Sequence, residues 1–226
     1  MSLIRLQRPI DNEICPVGFH VVRRHRRVCQ SGSKIWVEAH IAKNRAAAEK
    51  SILPENLKYS YWNADLSKYK PLHSISGFDS HHEIDALIQY WLEYWQLHNL
   101  DFPENIDPLM IKSMIAVASS FDPNASSSDG TRVGLMLVPN EALVDFSIQA
   151  LRGVPKAKQK EIAVSLEDLV DPVVNIAIGC RWASVKFSTL QTTEKTIYNM
   201  LKAYRRWHSQ GDVFAARVIA YYNKSR

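Results

Sequence analysis

Cysteine is scarce in this chain: Cys15, Cys29 and Cys180 are an odd number and far apart. That pattern excludes a disulfide framework and fits free thiols in a reducing compartment. Glycine and proline number 8 and 10 in 226 residues, which excludes collagen-like and low-complexity architectures. No apolar run approaches the roughly 20 residues of a membrane-spanning helix. The opening stretch lacks the apolar segment of a secretory signal, so a role outside the cytoplasm is expected to need a dedicated delivery route. What the chain does have is aromatic and apolar: 6 Trp, 9 Tyr and 7 Phe, with 46% hydrophobic residues. Such content excludes disorder as the main state and suffices for one good-sized domain with a small appendage.

Charge is unevenly placed. Residues 1–50 hold 10 Lys and Arg against 4 Asp and Glu, whereas residues 51–226 hold 18 against 19. The basic character belongs to the first segment, which suits a polyanionic partner or simply a solvated face. Two β-rich runs, 19–28 and 34–40, flank Gln30-Ser31-Gly32-Ser33 and predict a hairpin. Cys15, His20, Cys29 and His40 match no zinc module and include no CxxC half, so no metal site is expected. Nucleic-acid binding through Arg23, Arg24, Arg26 and Arg27 lacks an accompanying stacking platform or recognition motif and is not the expected role. A short Ala-rich helix is predicted over 41–50, then a polar connection to about residue 78.

From residue 79 the pattern is helical. Ser80 and Glu83 have capping-box spacing, and Ile84, Leu87, Ile88, Trp91, Leu92 and Trp95 follow on one apolar face. That aromatic stripe is read as core rather than as a sugar groove. Asp107-Pro108 and Asp171-Pro172 each predict a capped helix start, the second opening a helix over 173–187. A further helix is predicted over 193–208 with a stop at Gly211, and Asp212 is predicted to cap a last one reaching residue 222. The expected fold is mainly α, with a small basic hairpin segment (1–78) preceding a helical domain (79–226).

Residues 118–127 read Ala-Ser-Ser-Phe-Asp-Pro-Asn-Ala-Ser-Ser, and residues 134–137 read Gly-Leu-Met-Leu. Downstream lie Asn175-Ile176 with Gly179 and Trp182, then Lys202-Ala203-Tyr204. In this order the blocks resemble the soluble lytic transglycosylase (SLT) and goose-type lysozyme superfamily, with its E-S-x-F-x-P-x-A-x-S, G-L-M-Q, N-I-x-x-G-x-x-[YW] and A-Y-N signatures. The similarity covers about 107–205. It implies a lysozyme-like domain that cleaves the bond between N-acetylmuramic acid and N-acetylglucosamine in peptidoglycan, without metal or cofactor. Position 118 is where the family carries its catalytic Glu. Ser119, Ser127, Met136, Leu137, Asn175 and Tyr204 fall at positions that imply roles around the saccharide and the acid.

The chemistry explains why a Glu belongs there. Protonating the leaving glycosidic oxygen needs a carboxyl that stays protonated near neutral pH, and a half-desolvated helix end raises its pKa. Ile111, Met114, Ile115 and residue 118 share one predicted helix face, but residue 118 is Ala and no acid occurs between 114 and 121. Losing a general acid costs about 10²–10⁴ in rate, so this chain is expected to be inert or nearly so. Leu137 replaces the family's Gln and Arg205 its Asn. A deliberate Glu→Ala change and natural loss are both open at this point, and this scatter favours natural divergence. Peptidoglycan strands are the expected partner, with delivery by a phage or a secretion system and an immunity protein as a further candidate partner. The alternative is a non-enzymatic glycan- or protein-binding component of such an assembly.

Overall fold

The computed structural model describes residues 54–78, 81–98, 100–104, 106–145, 161–162, 164–205 and 209–226, with short strands between 19 and 52. The architecture is mainly helical. Seven helices are described: α1 (Pro54–Trp62), α2 (Asp85–Leu97), α3 (Pro108–Ser119), α4 (Asn140–Asp145), α5 (Pro172–Ser188), α6 (Ile197–Arg205) and α7 (Ser209–Ser225). Among the described residues, no helix is long and apolar enough to cross a membrane.

The N-terminal strands are β1 (Phe19–Val22), β2 (His25–Val28), β3 (Lys34–Val37) and β4 (His40–Lys43). β2 and β3 pair antiparallel with His25 opposite Val37 and Val28 opposite Lys34, which is the hairpin predicted around residues 30–33. β1 pairs antiparallel with β4. The helix predicted over 41–50 is therefore corrected at its start, because residues 41–43 are strand paired with β1, and tertiary pairing overrides local helix propensity; its remainder lies outside the described residues. β5 (Ser51–Ile52) pairs in parallel with β8 (Glu161–Ile162).

Two helices form the centre. α3 is buried on every side from Leu109 to Ala116, and α5 from Val173 to Ser184. An α-helix apolar all round belongs inside, so the single apolar face expected for α3 understates its burial. Both begin as the sequence predicts. Asp107 Oδ1 accepts from the Leu109 amide at 2.9 Å, and Asp171 Oδ1 accepts from the Val173 amide at 2.9 Å, each followed by proline in the first turn. α2 packs on both, burying Leu87, Ile88, Trp91, Leu92 and Trp95 as expected, and the Trp95 indole donates to the Ala177 carbonyl at 2.8 Å. Ser80 of the predicted capping box lies outside the described residues; the helix begins with a 3-10 turn over His82–Ile84.

Residues 54–78, which the sequence suggests as the tail of the N-terminal segment, pack into the same core through Leu57, Tyr61 and Ile75. The C-terminal helices also differ from expectation. α6 ends at Arg205 and α7 starts at Ser209, so Gly211 sits inside a helix instead of ending one. A glycine costs a helix interior only about 1 kcal/mol, which the packing of α7 against α3 and α6 outweighs. Asp212 is not a cap: it binds Lys202 Nζ at 3.0 Å and the Tyr198 hydroxyl at 3.0 Å, tying α7 to α6.

Candidate functional site

The site starts where α3 ends. Ala118 and Ser119 stand half-buried on its last turn, Ala118 against the core, and the Ser119 hydroxyl donates back to the Ile115 carbonyl at 3.2 Å. Ser120 and Phe121 then take left-handed backbone conformations, with φ of 55° and 64°. Phe121 is held there by burial, by stacking on the His81 ring at 4.2 Å and by an edge contact with Phe78 at 5.3 Å. The chain returns toward β6 (Arg132–Val133): the Ser127 hydroxyl donates to Asp129 Oδ1 at 2.6 Å and accepts from the Arg132 amide at 3.0 Å. β6 pairs antiparallel with β7 (Val138–Pro139), and residues 134–137 form the turn between them.

That turn is clamped from two helices. Asn175 of α5 is fully buried and makes three hydrogen bonds: its Oδ1 accepts from the Met136 amide at 2.9 Å, and its Nδ2 donates to the carbonyls of Val133 at 2.9 Å and Leu169 at 2.7 Å. From α6, the Tyr204 hydroxyl donates to the Met136 carbonyl at 3.0 Å, and burial pushes this phenol well above its ordinary value of 10.0, so it remains a donor. Gly134 has a φ of 80°, and a Cβ there would lie 2.1 Å from Asn175 Nδ2. Gly179 faces the other side of the turn, where a Cβ would lie 2.4 Å from Met136 Sδ. Both glycines are thus required by close approach. Leu137 is buried with a φ of 45°.

A cleft of about 570 Å³ opens beside these segments. Its lining includes Val117 of α3, Ser127 to Asp129, Arg132 of β6, Arg205 of α6, and Phe214 and Arg217 of α7. Of the site residues suggested by the sequence, Ser127 lines this cleft. Ala118 is next to the lining residue Val117, while Met136, Leu137, Asn175 and Tyr204 are buried and build the turn. The lining carboxyl, Asp129, accepts from the hydroxyls of Ser127 and Thr131 and from the Thr131 amide, which hold it well below the usual carboxylate range. It is an ionised group near neutral pH and has no proton to deliver.

No protein-family model, curated protein or solved structure matches this chain. Four separate segments, 118–127, 134–137, 175–179 and residue 204, meet through specific hydrogen bonds and close approaches. Among the described residues, the three non-glycine residues with positive φ, Ser120, Phe121 and Leu137, all lie in the first two of these segments. Backbone strain of this kind costs about 1–3 kcal/mol per residue and gathers at functional sites.

Sequence reasoning missed Phe214 and Arg217, and it read Arg205 only as a departure from a pattern. They come from helices far apart in sequence from the 118–137 stretch, and no local signal marks them. Among the described residues there is no group of three or more His, Cys, Asp or Glu able to hold a metal ion; the side chains of Cys15, His20, Cys29 and His40 lie outside the described residues.

Proposed function

We propose that this protein is a lysozyme-like, peptidoglycan-directed binder that holds a glycan strand without cleaving it. The observation that carries the reading is the convergence of the four resembling blocks on one clamped turn beside a cleft, with Ala118, which stands where the resembled family carries its acid, next to the lining residue Val117. Strained and clamped backbone is what a preorganised binding wall requires. Hydrolysis or transglycosylation needs a protonated carboxyl on the leaving oxygen. Ala118 offers none, and Asp129 is held ionised by its hydroxyl neighbours.

Sedimentation with purified peptidoglycan, together with turbidity clearing, tests this directly. The chain is expected to sediment with the wall polymer and to leave its turbidity unchanged. Ala118→Glu is expected to keep the binding and gain slow clearing, because a half-buried carboxyl on the last turn of α3 would stay partly protonated near neutral pH. Clearing by the unaltered chain, or no sedimentation by either form, overturns the proposal.

A further inference from the structure

Asp129 is anchored through one carboxylate oxygen and open at the other. The turn that carries it is closed by backbone hydrogen bonds: the Ser127 amide donates to the Arg132 carbonyl at 3.0 Å, and the Gly130 amide to the Ser127 carbonyl at 2.8 Å. Three donors then converge on Asp129 Oδ1: the Ser127 hydroxyl at 2.6 Å, the Thr131 hydroxyl at 2.8 Å and the Thr131 amide at 3.1 Å. Among the described residues, no neighbour donates to Oδ2. Asp129 is exposed and lines the cleft, so Oδ2 is an acceptor held ready for a ligand. Accepting there costs little further ordering of the side chain, because the anchor is already made. An O–H donated to a carboxylate is also about twice as strong as a bond between neutral groups.

Two kinds of donor fit an open carboxylate oxygen, an ammonium and a hydroxyl. Arg217 is exposed in the same lining and repels an ammonium, whereas a hydroxyl brings no charge. Val213, another lining residue, is an apolar side chain 59% exposed. A ligand with hydroxyls at its edge and C–H groups on its faces suits both residues, and a sugar ring has that form.

We infer that Asp129 is a specificity-determining residue of the cleft, its Oδ2 accepting from a free ring hydroxyl of the glycan. The inference rests on the glycan binding proposed above and adds the group that is recognised.

Calorimetric titration of the whole chain tests it with four tetramers. The parent alternates N-acetylglucosamine and N-acetylmuramic acid, with the lactyl carboxyls capped as methylamides so that it is uncharged. Two further tetramers lack the hydroxyls at C6 or the C3 hydroxyls of the N-acetylglucosamine units, and the fourth carries free amines in place of the acetamides. One deoxy tetramer is expected to bind about tenfold or more weakly than the parent, the loss of one hydrogen bond to a charged group. Asp129→Asn keeps an acceptor for Ser127 and Thr131 and sets an amide nitrogen in place of Oδ2, so it is expected to fold, which a melting curve checks. It should weaken the parent by a similar factor and bind the parent and that deoxy tetramer equally, because either change removes the same bond. A role in the turn alone would not couple to a hydroxyl of the ligand. The carboxyl-carbon resonance of Asp129 gives a second reading in the unaltered chain: it should shift with the parent and not with the weak deoxy tetramer.

Deoxy tetramers bound as tightly as the parent, a deoxy penalty unchanged in Asp129→Asn, or an Asp129 resonance unmoved by the parent overturns this inference and leaves the glycan proposal standing. The amine tetramer bound most tightly, with that advantage lost in Asp129→Asn, overturns the hydroxyl in favour of an ammonium. Sedimentation with peptidoglycan but no binding of the parent overturns the hydroxyl inference alone. Neither sedimentation nor binding of any tetramer overturns both.

Discussion

Asn175 joins three stretches of chain with one side chain, accepting from the Met136 amide and donating to the carbonyls of Val133 and Leu169. Because it is fully buried, Asn175→Ala would strand three polar groups away from water. Each stranded group costs about 1–3 kcal/mol, so a loss of about 3–5 kcal/mol is expected. Urea unfolding would show it as a lower midpoint with an unchanged slope; a loss below about 1 kcal/mol would mean that the turn finds other partners. The two glycines test the same clamp from its other faces. Gly134→Ala meets both a left-handed φ and an Asn175 nitrogen 2.1 Å away, and a cost above about 3 kcal/mol is expected. Gly179→Ala meets Met136 Sδ at 2.4 Å, but a thioether can swing aside, so about 1–3 kcal/mol is expected. Met136→Ala in the Gly179→Ala background would relieve that clash. The double variant should therefore lose less stability than the sum of the two singles, and strict additivity would show that the contact is not made.

α3 carries Ala118 in its last turn and the buried Lys112 in its middle. Lys112 Nζ lies 2.7 Å from Asp85 Oδ1, with the two side chains 1% and 2% exposed, and Asp85 Oδ2 accepts from the Leu72 amide at 2.9 Å and meets His82 Nδ1 at 2.7 Å. The pair pins α2, α3 and the 70–75 connection to each other. Lys112→Met leaves a carboxylate buried without its counter-charge and is expected to cost about 3–5 kcal/mol. Adding Asp85→Asn removes that charge while keeping an acceptor for Leu72, so the double variant is expected to melt above Lys112→Met alone. If it melts lower, the ion pair is not what the site depends on. Nothing in the sequence marks Lys112 as Asp85's partner, because the pairing depends on how α2 crosses α3. Local signals were legible: the Asp-Pro starts of α3 and α5 were readable because a cap needs only its own next residues. Gly211 misled because a local breaker was overridden by the packing of α7. At the candidate site, a family resemblance in the sequence singled out the 118–127 and 134–137 segments, whereas the clamp of Asn175 and Tyr204 onto Met136 and the gathering of Arg132, Arg205 and Arg217 beside one cleft depend on tertiary placement.

At the scale of the molecule, one core runs from Leu57 to Val218 and buries groups that can lose a proton. Burial pushes the Cys180 thiol above its ordinary 9.0, the Tyr61 phenol from 10.0 up to about 12, and the phenols of Tyr90 and Tyr204 higher still. The unfolded chain gives these protons up near their ordinary values, while the native chain keeps them. Between about pH 9 and 12 the unfolded state therefore binds fewer protons, and stability is lost as pH rises through that window. Arg181 acts in the opposite direction, since burial pushes it down to about 10 and its native form would release a proton first. One base against four acids does not reverse the slope. Thermal melts followed from neutral pH to about pH 11 are expected to show a falling midpoint that begins near pH 9. Tyr204→Phe should melt lower at neutral pH, because the Met136 carbonyl loses its donor, yet fall less steeply on the alkaline side, because one titrating group has gone. A midpoint that stays level to pH 11 in the unaltered chain would mean that these phenols and the thiol are reached by water, and that the core holding the turn is looser than its packing implies.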